Sequence, residues 1–341
     1  YDDELRIATE SANAASVTYS YADLDGLLTQ AGALTLSPNA ETGWLDETRI
    51  GALPSELVTS YGYNDFGELA TIVVERHLSA SVALPVYAVS YRYDKLGRVS
   101  DKTDVGCMLT RGERYTYDQR GRLWEVYTGN EDCGAQGASC ALAESFGYDP
   151  NGNRTSHTVA GQGATSPSYD AQDRLTSYGA WSYSYTPAGE LTAKTNGSDT
   201  WTFDYDVLGN LRRVDKPGGD VIEYVIDGAG RRVGKKTGNA QATTLARAWL
   251  YRDDLSPVAE LDPSGALVAR FVYAEAAHVP SYMTKGGNTY RFVTDQLGSV
   301  RLVVDVATGL VAQELTYDAW GNVLSDSNAG FQPFGFAGGL Y

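Results

Sequence analysis

A seven-residue phrase recurs along the chain: an aromatic residue, any residue, an aromatic or aliphatic residue, Asp, two free residues, then Gly. It reads YGYNDFG at 61–67, YRYDKLG at 91–97 and YTYDQRG at 115–121. It returns as FGYDPNG ending at Gly152, YSYTPAG at Gly189, FDYDVLG at Gly209 and YVIDGAG at Gly230. Late forms are FVTDQLG ending at Gly298 and LTYDAWG ending at Gly321. Seven of the nine copies keep Asp three residues before Gly, so the turn chemistry is held more tightly than the strand around it. Self-similarity of this kind sets the architecture before any single residue does, and it points function toward the assembled repeat.

Each copy reads as a strand running into a turn. Residues two apart in an extended chain share a face, so Tyr91 and Tyr93 point one way, as do Tyr115 and Tyr117. Aromatics suit a pleated, half-buried surface where they pack across strands. The Asp accepts a backbone N–H two residues on and starts a tight turn. The Gly fits a positive φ, as in a type I turn closed by a bulge. The residues expected to build these turns are Tyr63 with Gly67, Tyr93 with Asp94 and Gly97, and Tyr117 with Asp118 and Gly121. Further along they are Tyr148, Asp149 and Gly152; Tyr205, Asp206 and Gly209; and Asp227 with Gly230. The last are Asp295 with Gly298, and Tyr317 with Asp318 and Gly321. An apolar residue usually follows soon after each Gly, as at Arg122-Leu123, and begins the return strand. The unit is therefore one β-hairpin, repeated.

Successive turn glycines from Gly67 to Gly230 lie 30, 24, 31, 37, 20 and 21 residues apart, too irregular for a strict solenoid. The widest interval contains a degenerate copy, Tyr169 to Leu175, with Asp173 where Gly should stand. Gly-, Ser-, Asn- and Thr-rich stretches at 129–145, 160–168, 216–220 and 236–243 read as loops. Repeat quality divides the chain into degenerate copies at 1–60, a well-formed repeat sheet at 61–245 and a distinctive terminal stretch at 246–341. Twenty-four Tyr and thirty-seven Gly against two Met fit an all-β repeat protein of antiparallel hairpins forming one long coiled sheet. No apolar run approaches the roughly 20 residues of a membrane span. The chain begins without Met and without a leader pattern, which reads as an excised or processed segment.

The net charge of −16 comes largely from the turn aspartates and argues against a nucleic-acid partner. Cys133 and Cys140 sit in one Gly-rich loop, close enough to form a disulfide if the compartment oxidises, with Cys107 left over; three unpaired thiols is the alternative. No second ligand pair accompanies the cysteines to make a zinc site. His77, His157 and His278 fall in unrelated repeats without ligand spacing. No nucleophile elbow, phosphate loop or dinucleotide fingerprint occurs in a strand–helix context. Most Asp residues are already explained by turns, and contacts of Arg98, Arg122 or Arg231 with neighbouring Tyr rings are structural. No catalytic residue, cofactor or metal is expected.

The repeat resembles the YD repeat of Rhs proteins, of the C components of insecticidal Tc toxins and of the extracellular part of teneurins. The likeness runs from about Tyr19 to Tyr341 and extends to FVTDQLGSVRLVVD at 292–305, YDAWGN at 317–322 and FGFAGGLY at 334–341. In that family the repeats coil as a spiral sheet into a hollow shell that holds a toxic C-terminal domain, or in teneurins serves adhesion. The resemblance implies a secreted or cell-surface protein whose self-cleavage motif, of the form D-P-x-G-L, would lie beyond Tyr341. Asp262-Pro263-Ser264-Gly265-Ala266 comes too early and lacks the final Leu, so it reads as another Asp–Pro turn. The expected function is a shell segment of an Rhs-like secreted polymorphic toxin, encapsulating or presenting a toxin domain. The alternative is a teneurin-like adhesin or glycan-binding surface protein.

About 200 strand residues at roughly 3.3 by 4.8 Å each cover roughly 3,200 Å². Closed into a sphere, they leave an inner radius of about 11 Å, against an outer radius of about 17 Å for a domain of about 100 residues. The expected partners are therefore further Rhs-type sequence or copies of this chain at the sheet edges, and an enclosed toxin domain only within a larger shell.

Overall fold

The computed structural model describes residues 1–12, 15–106 and 110–340; Cys107 and Tyr341 lie outside them. In the described residues regular structure is all β apart from one 3-10 turn at Phe336–Gly338. Strands pair antiparallel in chain order. Thirteen form one sheet from Thr9–Ala12 to Arg154–Val159, and sixteen form a second from Ser168–Tyr169 to Val323–Asp326. Among the described residues the ladder breaks once, between Val159 and Ser168. There, the N–H and C=O groups of His157 and Thr165 exchange two hydrogen bonds of 2.9 and 2.8 Å.

The phrase sets this regularity. The register shifts by a bulge at its third residue, as at Tyr63, Tyr117, Tyr148, Tyr205 and Tyr317. Each Asp N–H then bonds the carbonyl four residues on, and the Gly N–H bonds back to the Asp carbonyl: Asp118 to Arg122 at 2.9 Å and Gly121 to Asp118 at 3.0 Å. The bulge supplies the extra residue that lets a type I turn match the right-handed twist of its strands.

By contacts the chain groups differently from its division by repeat quality. Residues 1–91, 104–109 and 249–341 form one compact unit, and residues 92–103 and 110–248 form another. In the first unit the core gathers Phe271, Met283, Phe292, Val303, Leu315 and Phe334, each nearly or fully excluded from solvent. Phe334 meets the edges of Phe271 and Phe292 at 4.9 and 5.9 Å between ring centres. It is held there because Gly335 accepts from the Val300 N–H at 3.2 Å and Phe334 bridges to Leu340. In the second unit, alternation along Trp181–Tyr185 and Asp199–Tyr205 leaves the aromatics half-buried and the intervening Ser, Thr and Asp exposed.

Candidate functional site

The turns form a connected ladder. Asp94 and Asp118 each accept two backbone N–H groups, from Leu96 and Arg98 and from Arg120 and Arg122, at 2.8 to 3.1 Å. Their second carboxylate oxygens accept Nε of Arg98 and Arg122, both at 2.7 Å. Arg98 then stacks over Tyr117 of the next hairpin at 4.2 Å and Arg122 over Tyr148 at 4.4 Å. Tyr117 and Tyr148 in turn donate to the carbonyls of Val99 and Leu123, the residues that follow those arginines, at 2.6 and 2.7 Å. Tyr63 and Tyr317 do the same to Leu45 and Val300. Where the third position of the phrase is Tyr, as at Tyr117 and Tyr148, its ring and hydroxyl clamp the preceding hairpin together.

The other expected turn residues take the same places. Asp149, Asp206, Asp227, Asp295 and Asp318 each accept the backbone N–H four residues on, at 2.8 to 2.9 Å. Gly67, Gly97, Gly121, Gly152, Gly209, Gly230, Gly298 and Gly321 have φ between 73° and 101°. Tyr93 and Tyr205 end their strands immediately before their turns. Asp173, at φ 59°, closes the degenerate copy with the hydrogen bonds a Gly would make. Lys216 to Asp220 was expected to be a loop but is the same turn, with Gly219 at φ 94° bonded back to Lys216. Cys133 and Cys140 are joined by a disulfide, Cα atoms 5.6 Å apart.

A polar cluster buried in the first unit was not visible in the sequence. Strand Asn288–Thr294 carries Arg291 inward among apolar residues. Arg291 donates to both oxygens of Glu275, at 2.8 and 2.5 Å, and to the Ser281 carbonyl at 2.6 Å. Thr48 and Tyr61, from two N-terminal strands, complete the shell: Arg291 reaches their hydroxyls at 3.3 and 3.4 Å, and Tyr61 donates to Glu275. Burial pushes the Glu275 carboxyl up, but the charge and hydrogen bonds of Arg291 outweigh it and hold the group below the usual carboxylate range. Burial, then the Glu275 charge, pushes the Tyr61 hydroxyl well up. The acid is thus kept ionised and the phenol protonated, with their polar atoms engaged with one another. That arrangement ties strands together and leaves no group poised for proton transfer.

Arg270 repeats the device, donating to the Val258 carbonyl at 2.5 Å and to Glu10. The available signal was a charged residue set into an apolar run, Arg270-Phe271-Val272 and Arg291-Phe292-Val293. A 240 Å³ cavity adjoins the first pair, lined in part by Tyr61, Ile72, His278, Phe292 and Gln296. Of the histidines, His157 lies between Glu144 and the Tyr178 hydroxyl at 2.8 and 2.7 Å, stacked on Phe146. His77 is 3.7 Å from Glu75, and His278 lies 3.5 Å from the Leu297 carbonyl. Among the described residues no three His, Cys, Asp or Glu side chains are grouped to hold a metal ion. No helix there is long and apolar enough to cross a membrane.

A family model described as Teneurin YD-shell matches residues 1–341. Mouse Teneurin-3 is 29% identical over 262 residues, which is 75% of this chain and 9% of that protein. Mouse Teneurin-1 is 26% identical over 337 residues, 95% of this chain and 11% of that protein. The tRNA3(Ser)-specific nuclease WapA of Bacillus spizizenii is 26% identical over 258 residues, covering 75% of this chain and 8% of that protein. Among solved structures, the TcdB2-TccC3 crystal structure superposes with a TM-score of 0.58 at 15% identity, covering 95% of this chain and 18% of that one. The chain thus spans about a tenth of the length of the curated relatives cited.

Proposed function

The chain belongs to the teneurin YD-shell family, and from that premise we propose that it is a wall segment of a larger YD-repeat shell in an Rhs-like secreted toxin. In this reading the shell encapsulates or presents a C-terminal toxin domain outside these residues. The observation that carries the reading is one of proportion. A shell-family model accounts for the whole chain, while the chain accounts for about a tenth of its relatives. The area estimate agrees, since a sheet of this size has too little interior for a folded domain. The wall would be completed at sheet ends such as Thr9–Ala12 and Val323–Asp326, joined by further Rhs-type sequence or copies of the chain. We assign the segment an extracellular, non-catalytic role with no nucleic-acid partner. Its buried ionisable pair is spent on itself, and its charge is −16.

The test is limited proteolysis of the full-length natural protein. A C-terminal domain that resists protease until the repeat sheet unfolds is the expected result. Immediate digestion of that domain in the folded protein would refute enclosure. A second reading, adhesion of the teneurin kind, is favoured by the higher identity to Teneurin-3. It predicts that this segment displayed on beads makes them adhere to cells, with no toxic domain downstream.

A further inference from the structure

We propose that one pleat face of the second unit, carrying Lys194, Lys216 and Lys235, is a docking surface for an acidic polypeptide. The inference goes beyond the shell role and does not depend on it. Cross-strand register puts these lysines on a single face. Lys194 stands opposite both Tyr183 and Trp201, Phe203 opposite Val214, Val214 opposite Ile222, and Tyr224 opposite Lys235. Residues two apart share a face, so Lys216 joins Val214 at the strand end. The face therefore runs from Tyr183 to Lys235 as one aromatic and cationic strip.

Charge is partly sorted by pleat: Asp199 and Asp220 share the lysines' face but stand at strand ends, opposite Asn196 and Asn239. Asp215 and Glu223 lie on the opposite face, where Arg213 reaches them at 2.7 and 3.0 Å and Thr243 donates to Glu223 at 2.6 Å. On the strip, the ammonium groups of Lys194 and Lys216 and the Arg232 guanidinium are set over rings. Lys194 is 5.3 Å from Trp181 and 4.7 Å from Trp201, Lys216 is 5.7 Å from Trp201, and Arg232 is 4.0 Å from Tyr224. Burial, then the like charges of Lys216 and Arg232, hold the Lys235 ammonium below its usual range. Residues 191–249 hold 9 Lys and Arg against 7 Asp and Glu, a net of +2, so the remaining residues carry −18. A positive face on so acidic a chain is complementary to carboxylates.

The geometry also selects the class of partner. Lysines cover the tryptophan faces that a sugar ring would need for stacking. From the strand of Lys194 to that of Lys235 is four inter-strand steps, about 19 Å, which suits carboxylates spread over a protein surface more than one small anion. Ammonium groups on aromatic rings, as at Lys194 and Lys216, can release toward a carboxylate while each stem stays packed.

The experiment uses the purified chain and a fluorescein-labelled oligoglutamate peptide, followed by anisotropy. Wild type should bind, more weakly as salt rises. Lys194→Gln/Lys216→Gln/Lys235→Gln should weaken binding about tenfold, the sum of three exposed ion pairs. The corresponding Lys→Arg triple should retain binding, and Lys236→Gln, on the opposite face, should leave it unchanged. Absence of binding by wild type, or equal affinity in the Gln triple, would overturn the proposal. So would a preference for a heparin oligosaccharide over the peptide, or lysine-dependent self-association without any peptide, which would make the occupant a glycan or a second copy.

Discussion

The same repeat is stabilised in two ways. In the first unit, N-terminal strands meet C-terminal ones through Thr48, Tyr61, Glu275 and Arg291, around a core of Phe271, Phe292 and Phe334. Tyr282 strengthens that junction, donating to the Ala31 carbonyl at 3.2 Å and accepting from the Ala33 N–H at 3.0 Å. Among the described residues of the second unit the buried apolar side chains are few: Val126, Phe146, Val214 and Val221, beside the disulfide at Cys133. Apart from buried Phe146 and exposed Trp124 its aromatics stay half-buried, and its hairpins are joined by the Asp–Arg–Tyr ladder. The difference teaches that the phrase specifies the hairpin and its link to the next. Whether a core forms depends on residues between the phrases.

The most severe way to break this contrast is to empty the core. Phe334→Ala removes a fully buried ring with two aromatic edge contacts and should cost about 5 kcal/mol. Phe203→Ala, on the half-buried face of the second unit, should cost about 1 to 2 kcal/mol because little cavity is created. Denaturant unfolding of the two variants decides it, and equal losses would deny that the units differ. Next in size is Arg291→Met, which leaves Glu275 buried without its counter-charge and should cost about 3 kcal/mol. Adding Glu275→Leu should recover part of that loss, whereas a surface pair would show neither effect.

Local chemistry was legible in the sequence, and distant pairing was not. The Asp and Gly spacing gave the turns because Asp118 and Gly121 bond only within five residues. Even Asp173 could be placed, since Asp tolerates a positive φ. The Lys216 turn escaped notice because Lys offers no carboxylate acceptor, and its Pro-Gly-Gly run looked like a loop. Glu275 and Arg291 are 16 residues apart, and their hydroxyl partners Thr48 and Tyr61 lie more than 200 residues away. No local pattern pairs groups so far apart. The break between Val159 and Ser168 showed only as a Gly- and Ser-rich stretch, which does not reveal that the sheet ends there.

Within the second unit, Gly121 and Gly137 test whether the ladder adds to turn backbone. Gly137 lies in the stretch 129–145 read as a loop, yet it too has positive φ, 84° against 82° for Gly121. Val at either position should therefore cost about 1 to 2 kcal/mol from the left-handed backbone alone. A Cβ at Gly121 would also meet Arg98 Nη1 at 3.2 Å, while nothing lies near Gly137. The expected excess at Gly121 is a few tenths of a kcal/mol, the scale of a perturbed exposed ion pair. Identical unfolding midpoints would mean that the Arg98 contact contributes nothing.

The smallest effect is the acid sensitivity of the turn carboxylates in the second unit. The side-chain hydrogen bonds of Arg98 and Arg231 hold Asp94 and Asp227 below the usual carboxylate range, and the backbone N–H of Arg122 does so for Asp118. All three lie in the second unit. A folded-state pKa below the unfolded one means that the unfolded chain takes up protons first. The stabilisation is complete above the unfolded value, about 3.9, and is lost as pH falls through the folded values. The Asn variants of the three positions keep an acceptor oxygen for the turn but have no charge to titrate. Hydrogen exchange across 110–248 should therefore accelerate in wild type as pH falls below about 4, after correction for the intrinsic rate, and change less in the triple variant. The same slope in both proteins would show that these carboxylates do not hold the second unit together.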